Sequence, residues 1–313
     1  MARTTAGRGG FLLFQRRRPR RVPGAAEMIR CREPLYRPPA EAGSLILQAA
    51  YGCAHNRCTF CGMYKGVRYQ VRPEAELFGE ISEAARLYPE TRRVFLADGN
   101  ALGLGYDRLR PLLERLAEAF PRLARINLYA NCRSIAALTD GELTGLRHLK
   151  LNTLYTGLES GSQRVLDLVH KGESAAETVR QVRRAEAAGF TCSVMVLVGL
   201  GGQSYSEEHA DATAAALNLM RPTLLSALRV IPPGVLFDGF RELTEYQAVG
   251  ELHRLIGLLE LERTVFRADH PSNPAPLAGR FPQDKYRLLA ELEATRRGGL
   301  LDRDGPGRRP FAL

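Results

Sequence analysis

Six short apolar runs, each followed by a stretch with helical spacing, leave this chain of 313 residues few folds to choose from. The runs occupy residues 44–50, 93–97, 126–130, 153–158, 191–200 and 223–231. Between them Leu77, Ile81, Ala84, Ala85 and Leu87 mark one helix face, and Leu109, Leu112, Leu113, Leu116 and Phe120 recur at i, i+3, i+4, i+7 and i+11. A Ser or Thr three residues before a Glu or Gln marks helix starts at Thr139, Ser160, Ser174 and Ser204. Strands alternating with helices over such distances predict parallel βα units, wound as an open sheet or as a barrel. In either, the loops leaving the C-terminal strand ends build the site. Beyond Gly234 the texture changes to helical stretches at 243–262 and 284–296, with a short strand-like run at 264–267 and a Pro-rich loop at 270–276 between them.

The first of the strand-end loops carries Cys53, Cys58 and Cys61, spaced Cys-x4-Cys-x2-Cys. Three chemistries fit three cysteines at this spacing. With His55 they make a Cys3His zinc site, although no second knuckle accompanies it. With a fourth ligand from Cys31, Cys132 or Cys192 they make a fully ligated electron-transfer cluster, although none of these sits in a ligand-like loop. Alone, they hold three irons of a cubane and leave the fourth open to a substrate or cosubstrate. Cys192 sits in an apolar run and is most simply a small buried residue.

On these residues the chain resembles the radical S-adenosylmethionine (radical SAM) superfamily. The resemblance rests on three cysteines after the first strand of an alternating β/α chain, with Phe60 immediately before the last of them. It implies an α/β fold, a partial (β/α)6 TIM-like barrel over residues 44–233, followed by a mainly helical C-terminal extension over 234–297. It also implies a 4Fe–4S cluster on Cys53, Cys58 and Cys61, whose open iron binds S-adenosylmethionine, and an external one-electron reductant of the flavodoxin or ferredoxin kind. Reductive cleavage then gives a 5′-deoxyadenosyl radical that abstracts hydrogen from a substrate, which the sequence does not identify. Asp98 and Gly99 stand where relatives have a turn for the methionine amino group. Glu159 and Ser160 resemble a ribose and carboxylate contact, and Val198, Gly199 and Leu200 resemble the strand end that flanks adenine. Lys171 is a candidate cation for the methionine carboxylate, beside the plainer reading of a solvated lysine. The chain departs from the family pattern in the four-residue gap between Cys53 and Cys58, in Asp98-Gly99-Asn100, and in lacking an acid just beyond Gly199.

Arg133, Arg229, His270 and Asn273 are weaker candidates for the substrate side, each with an ordinary ion pair or loop as the alternative. No further cysteine follows Cys192, which argues against a second cluster.

The formal net charge of +10 is less of a nucleic-acid signal than it looks. Residues 1–27 hold seven Arg and one Glu, and the remaining arginines are spread through every segment. That head reads as disordered or as upstream of a start at Met28, and residues 298–313 read as a disordered tail. No apolar run is long enough to span a bilayer, and arginines follow the first apolar patch instead of preceding it as in a secretory signal. The expectation is a cytoplasmic protein with neither membrane nor nucleic-acid partner.

Overall fold

A computed structural model describes residues 31–307. The expectations for the basic head, and for the tail past residue 307, lie outside the described residues. The first strand, β1 (Leu45–Gln48), runs into a two-residue strand β2 (Ala50–Tyr51) that pairs antiparallel with β3 (Gln70–Val71). The cysteine loop is therefore pinched shut at its base. There follow α1 (Glu74–Leu87), β4 (Arg93–Ala97), α2 (Tyr106–Ala119) and β5 (Arg125–Ala130). Next come α3 (Cys132–Ala136), α4 (Asp140–His148), β6 (Leu151–Glu159), α5 (Gln163–Leu168) and α6 (Ala175–Ala187). β7 (Thr191–Val198), α7 (Gly202–Met220) and β8 (Leu224–Arg229) complete the repeating part.

The order β1-β4-β5-β6-β7-β8 is parallel throughout, so all six expected strands occur in sequence order in one sheet. The sheet continues past them. Helix α8 (Glu245–Leu258) crosses to β9 (Val265–Arg267), which pairs parallel with β8, and β10 (Ala278–Arg280) returns antiparallel before α9 (Lys285–Arg297). The region beyond Gly234 thus supplies two helices and also two strands of the same eight-stranded sheet. The strand order is linear from β1 to β10, so the barrel is partial.

Period-two alternation sorts the strand side chains into two layers. Leu96, Leu128, Leu154 and Val194 pack outward with the helix faces, including Leu109, Leu113 and Leu116 of α2. Cys192 is buried in this layer. Phe95 and Tyr155 form a second core on the inner face, with Ile46, Tyr129 and Met195 against it. The rings of Phe95, Tyr129 and Tyr155 meet edge to face at 5.2–6.0 Å. A 3-10 turn at Pro39–Glu41 plugs the inner face beside the start of β1. Glu41 is buried there and accepts hydrogen bonds from Tyr155 Oη (2.6 Å), Asn127 Nδ2 (2.8 Å) and Ser44 Oγ (2.5 Å).

Of the four helix starts expected from capping spacing, two form as expected. Thr139 and Glu142 form the reciprocal box at α4, and Ser174 caps α6 through Glu177 N–H. At α5 the cap is Ser162, not Ser160. Ser204 lies inside α7, which begins at Gly202 and kinks at Tyr205. Residues 298–307, expected as the start of a disordered tail, are instead bonded to the first turn of α8. Gly305 O accepts from Glu245 N–H (3.2 Å) and Asp302 O from Tyr246 N–H (3.1 Å), satisfying donors that a helix start leaves free. Among the described residues no helix is long and apolar enough to cross a membrane.

Candidate metal and cosubstrate site

The pinch of β2 on β3 presents the cysteine loop at the C-terminal end of β1. Behind it runs the turn after β4, where Gly99 N–H donates to Gly52 O at 3.1 Å. A Cβ on Gly99 would fall 2.5 Å from Cys53 Cβ, so only glycine lets the two loops close on each other here. Tyr64 is buried beneath the loop and donates to Asp98 Oδ1 at 3.2 Å.

The other side of the loop is tied to the segment after α5. Thr59 N–H donates to Val169 O at 3.0 Å, and His55 Nε2 bonds His170 O at 2.9 Å. His55 also packs on Gly172, whose φ of +68° suits glycine and where a Cβ would come within 2.8 Å of His55 Cε1. His55, within the four-residue gap between Cys53 and Cys58, therefore tethers two loops.

A cavity of about 160 Å³ opens between these loops. Cys53, Cys58, Cys61, Phe60 and Gly99 line one side of it. Glu159, Lys171, Glu173 and Arg133 supply its charges, and Tyr129, Tyr155, Gly157 and Met195 from the inner face form its floor. Lys171 Nζ lies 3.1 Å from Glu159 Oε1 and 3.7 Å from Glu173 Oε2. Burial works against the lysine's charge, but Glu159, Glu173 and Cys58 outweigh it and hold the pKa above the ordinary lysine value. Glu173 Oε1 accepts from Arg133 N–H at 3.2 Å, while its Oε2 is buried without a hydrogen-bond partner. Burial pushes the Cys58 thiol up to about 11, against a pull from Lys171, and raises Cys61 as well. A coordinated metal reverses that balance, because it binds the thiolate.

The residues singled out from the sequence divide into three groups. Cys53, Cys58, Cys61, Phe60, Gly99 and Glu159 meet at the cavity, joined by Lys171 and Arg133. Asp98, Ser160, Val198, Gly199 and Leu200 do not line it. Asp98 is turned away to Gln48 Nε2 and Tyr64, and Leu200 is buried with Val165, Val169, Val230 and Leu236, a cluster on which Phe60 also packs. Arg229, His270 and Asn273 are brought elsewhere. Arg229 donates to Leu243 O and Pro306 O, both at 2.8 Å, His270 bonds Ser272, and Asn273 joins Ala227 O to Ala268 O. Sequence reasoning missed Tyr129, Tyr155, Met195 and Glu173. The first three were within reach, since each follows directly on a residue of the outer layer (Leu128, Leu154 and Val194).

The donor set fits an open cubane better than the alternatives. Neither Cys31, Cys132 nor Cys192 lines the cavity, so no fourth thiol is presented there among the described residues. His55 lines the cavity as well, but its Nε2 is engaged with His170 O. A cubane holds its thiolates on separate irons.

Solved structures share the architecture. Native anSMEcpe with bound AdoMet aligns at a TM-score of 0.53 and 13% identity, over 68% of this chain and 59% of that one. TsrM from Kitasatospora setae, a radical S-adenosylmethionine methyltransferase with cobalamin and a [4Fe-4S] cluster bound, aligns at 0.52 and 18%, over 82% and 61%. The coproporphyrinogen III oxidase HemN from Escherichia coli aligns at 0.50 and 18%, over 82% and 52%. The chain thus spans 52–61% of the length of these proteins. No curated protein matches its sequence. The model of the radical SAM superfamily matches residues 47–213, from β1 through most of α7 and more than half of the sequence, and on that match the chain belongs to the radical SAM superfamily.

Proposed function

We propose that this chain is a radical SAM enzyme in which Cys53, Cys58 and Cys61 hold a 4Fe–4S cluster and leave one iron for S-adenosylmethionine. The observation that carries this reading is three thiols on one wall of a cavity where no fourth is offered among the described residues. When bound and reduced by an external flavodoxin- or ferredoxin-like donor, the cluster supplies the electron that splits the cosubstrate's sulfonium into methionine and a 5′-deoxyadenosyl radical, which takes hydrogen from the substrate.

The chain's own residues bind, orient and shelter. Lys171, kept charged between two carboxylates, offers a cation to the methionine carboxylate. Glu159 suits ribose hydroxyls as an acceptor, and Ser160 stands beside it. Gly99 and the backbone at Asp98 close the cluster side. Phe60 excludes water from the thiolates, and Val198, Gly199 and Leu200 give the apolar edge for the adenine. The floor of Tyr129, Tyr155 and Met195 faces the space left for a substrate. We place the protein in the cytoplasm, with a substrate of its own and no membrane or nucleic-acid partner.

Anaerobic reconstitution followed by reduction tests the reading. The protein is expected to carry a brown 4Fe–4S chromophore and to release 5′-deoxyadenosine, with Cys58→Ala losing at least 100-fold of that rate (on the order of 3 kcal/mol). Release that persists when all three cysteines are replaced overturns the radical mechanism. A colourless, zinc-loaded protein without cleavage makes it a non-catalytic metal-binding protein instead.

A further inference from the structure

Behind the cavity wall, buried polar groups join the turns after β6 and β7 to helices α7 and α8. Ser160 Oγ, in the turn after β6, bonds His209 Nδ1 on α7 at 2.7 Å. His209 Nε2 lies 3.6 Å from Glu251 Oε1 on α8. That same oxygen accepts Gly199 N–H, in the turn after β7, at 2.6 Å, and Glu251 Oε2 accepts from Ser206 Oγ at 2.5 Å. Ser160, His209 and Glu251 are 0%, 3% and 5% exposed. A carboxylate taken this far out of water costs several kcal/mol unless its oxygens are matched, and here both are. A satisfied buried network of this kind fixes one arrangement of the parts it joins.

The turn after β6 is held along its whole length. Gly161 N–H donates to Thr213 Oγ1 at 2.9 Å, and Ser162 Oγ donates to Glu208 Oε1 at 2.7 Å. His209 and Thr213 are one helical turn apart, so a single face of α7 receives Ser160 and Gly161. Ser160 Oγ also accepts Ser162 N–H at 3.0 Å, which explains why the cap of α5 falls to Ser162.

We propose that His209 and Glu251 are positioning residues for the cosubstrate, fixing the turn after β6 and the turn after β7 at a set separation. The inference rests on the cosubstrate contacts given under Proposed function, since Glu159–Ser160 and Val198–Leu200 are the stretches being held. Neither His209 nor Glu251 lines the cavity, and Glu251 stands outside the segment matched to the superfamily. The part of the chain beyond β8 is thereby a component of the cosubstrate site and not an appendage to it.

The test uses the reconstituted full chain as wild type, Glu251→Ala, Glu251→Gln and His209→Phe. Iron content, the dissociation constant for S-adenosylmethionine, and KM and kcat for its reductive cleavage are measured for each. Glu251→Ala is expected to raise the dissociation constant and KM about tenfold, with iron content and kcat within about twofold of wild type (about 1.4 kcal/mol, all in binding). Glu251→Gln keeps an oxygen for Gly199 N–H and is expected to recover most of the loss, which a general destabilisation would not do. Should Glu251→Ala fail to fold, His209→Phe decides, with at least a threefold rise expected. Wild-type affinity in the iron-loaded variants overturns the positioning role. If the iron-loaded wild type itself does not bind S-adenosylmethionine, the radical reading falls and this inference with it, an outcome distinguishable because it shows in the parent protein.

Discussion

At the scale of single residues, Asp98 is the most exacting position near the cysteine loop. It is buried, and burial pushes its carboxyl up to about 6 against the pull of Gln48 Nε2, Tyr64 Oη and the backbone at Gly52. A raised carboxyl favours the protonated folded state. Its contribution to stability is therefore complete below the ordinary value of 3.8 and is lost as pH rises through about 6. Asp98→Asn removes this dependence, so wild type should lose on the order of 2 kcal/mol relative to the variant between about pH 4 and pH 7. Thermal melts of the two across that range check it, and a constant gap between them refutes it. The three cysteines were legible because thiol chemistry and spacing are written locally. Ser160 was misread as a cap because its Ser-x-x-Gln spacing is also local, whereas its actual partner, His209, lies 49 residues away.

At the scale of elements, alternation of strands and helices was enough to give the six parallel strands, since each strand needs only its own apolar pattern to be recognised. The links between loops could not be read this way. His55 is an example, lining the cavity beside the cysteines and at the same time latching onto the segment that carries Lys171 and Glu173. His55→Ala removes one hydrogen bond, about 1 kcal/mol, and the packing on Gly172. Backbone hydrogen exchange at residues 170–173 should quicken about fivefold or more in that variant while the strands are unchanged. Exchange equal to wild type there would show that the latch bears no weight. Likewise, Thr244 and Gln247 form a reciprocal capping box at α8 that the sequence carries openly and that went unnoticed beside the stronger signals upstream.

At the scale of the whole molecule, the stretch beyond Gly234 is knitted into the sheet and the site. β9 pairs with β8, Arg229 reaches Leu243 and Pro306, and residues 302–305 complete the first turn of α8, with Arg303 over the Tyr246 ring at 4.3 Å. A run rich in glycine and arginine reads as disorder because its few apolar residues, Leu300 and Leu301 among them, follow no period, and its order comes from helix donors located some 60 residues upstream, which no local pattern announces. A chain ending at Arg297 should fold but lose about 2–4 kcal/mol through these hydrogen bonds, visible as a lower denaturation midpoint. An unchanged midpoint would mean that the tail merely rests on α8.

Glu41 reaches the cavity without lining it. Its carboxylate is locked onto Tyr155, Asn127 and Ser44, and Tyr155 is part of the cavity floor, edge to face with Tyr129. The depth of the cavity is thereby tied to a glutamate carried by a 3-10 turn ahead of the first strand, so a residue upstream of the whole repeating part helps to set how much room the strand ends enclose.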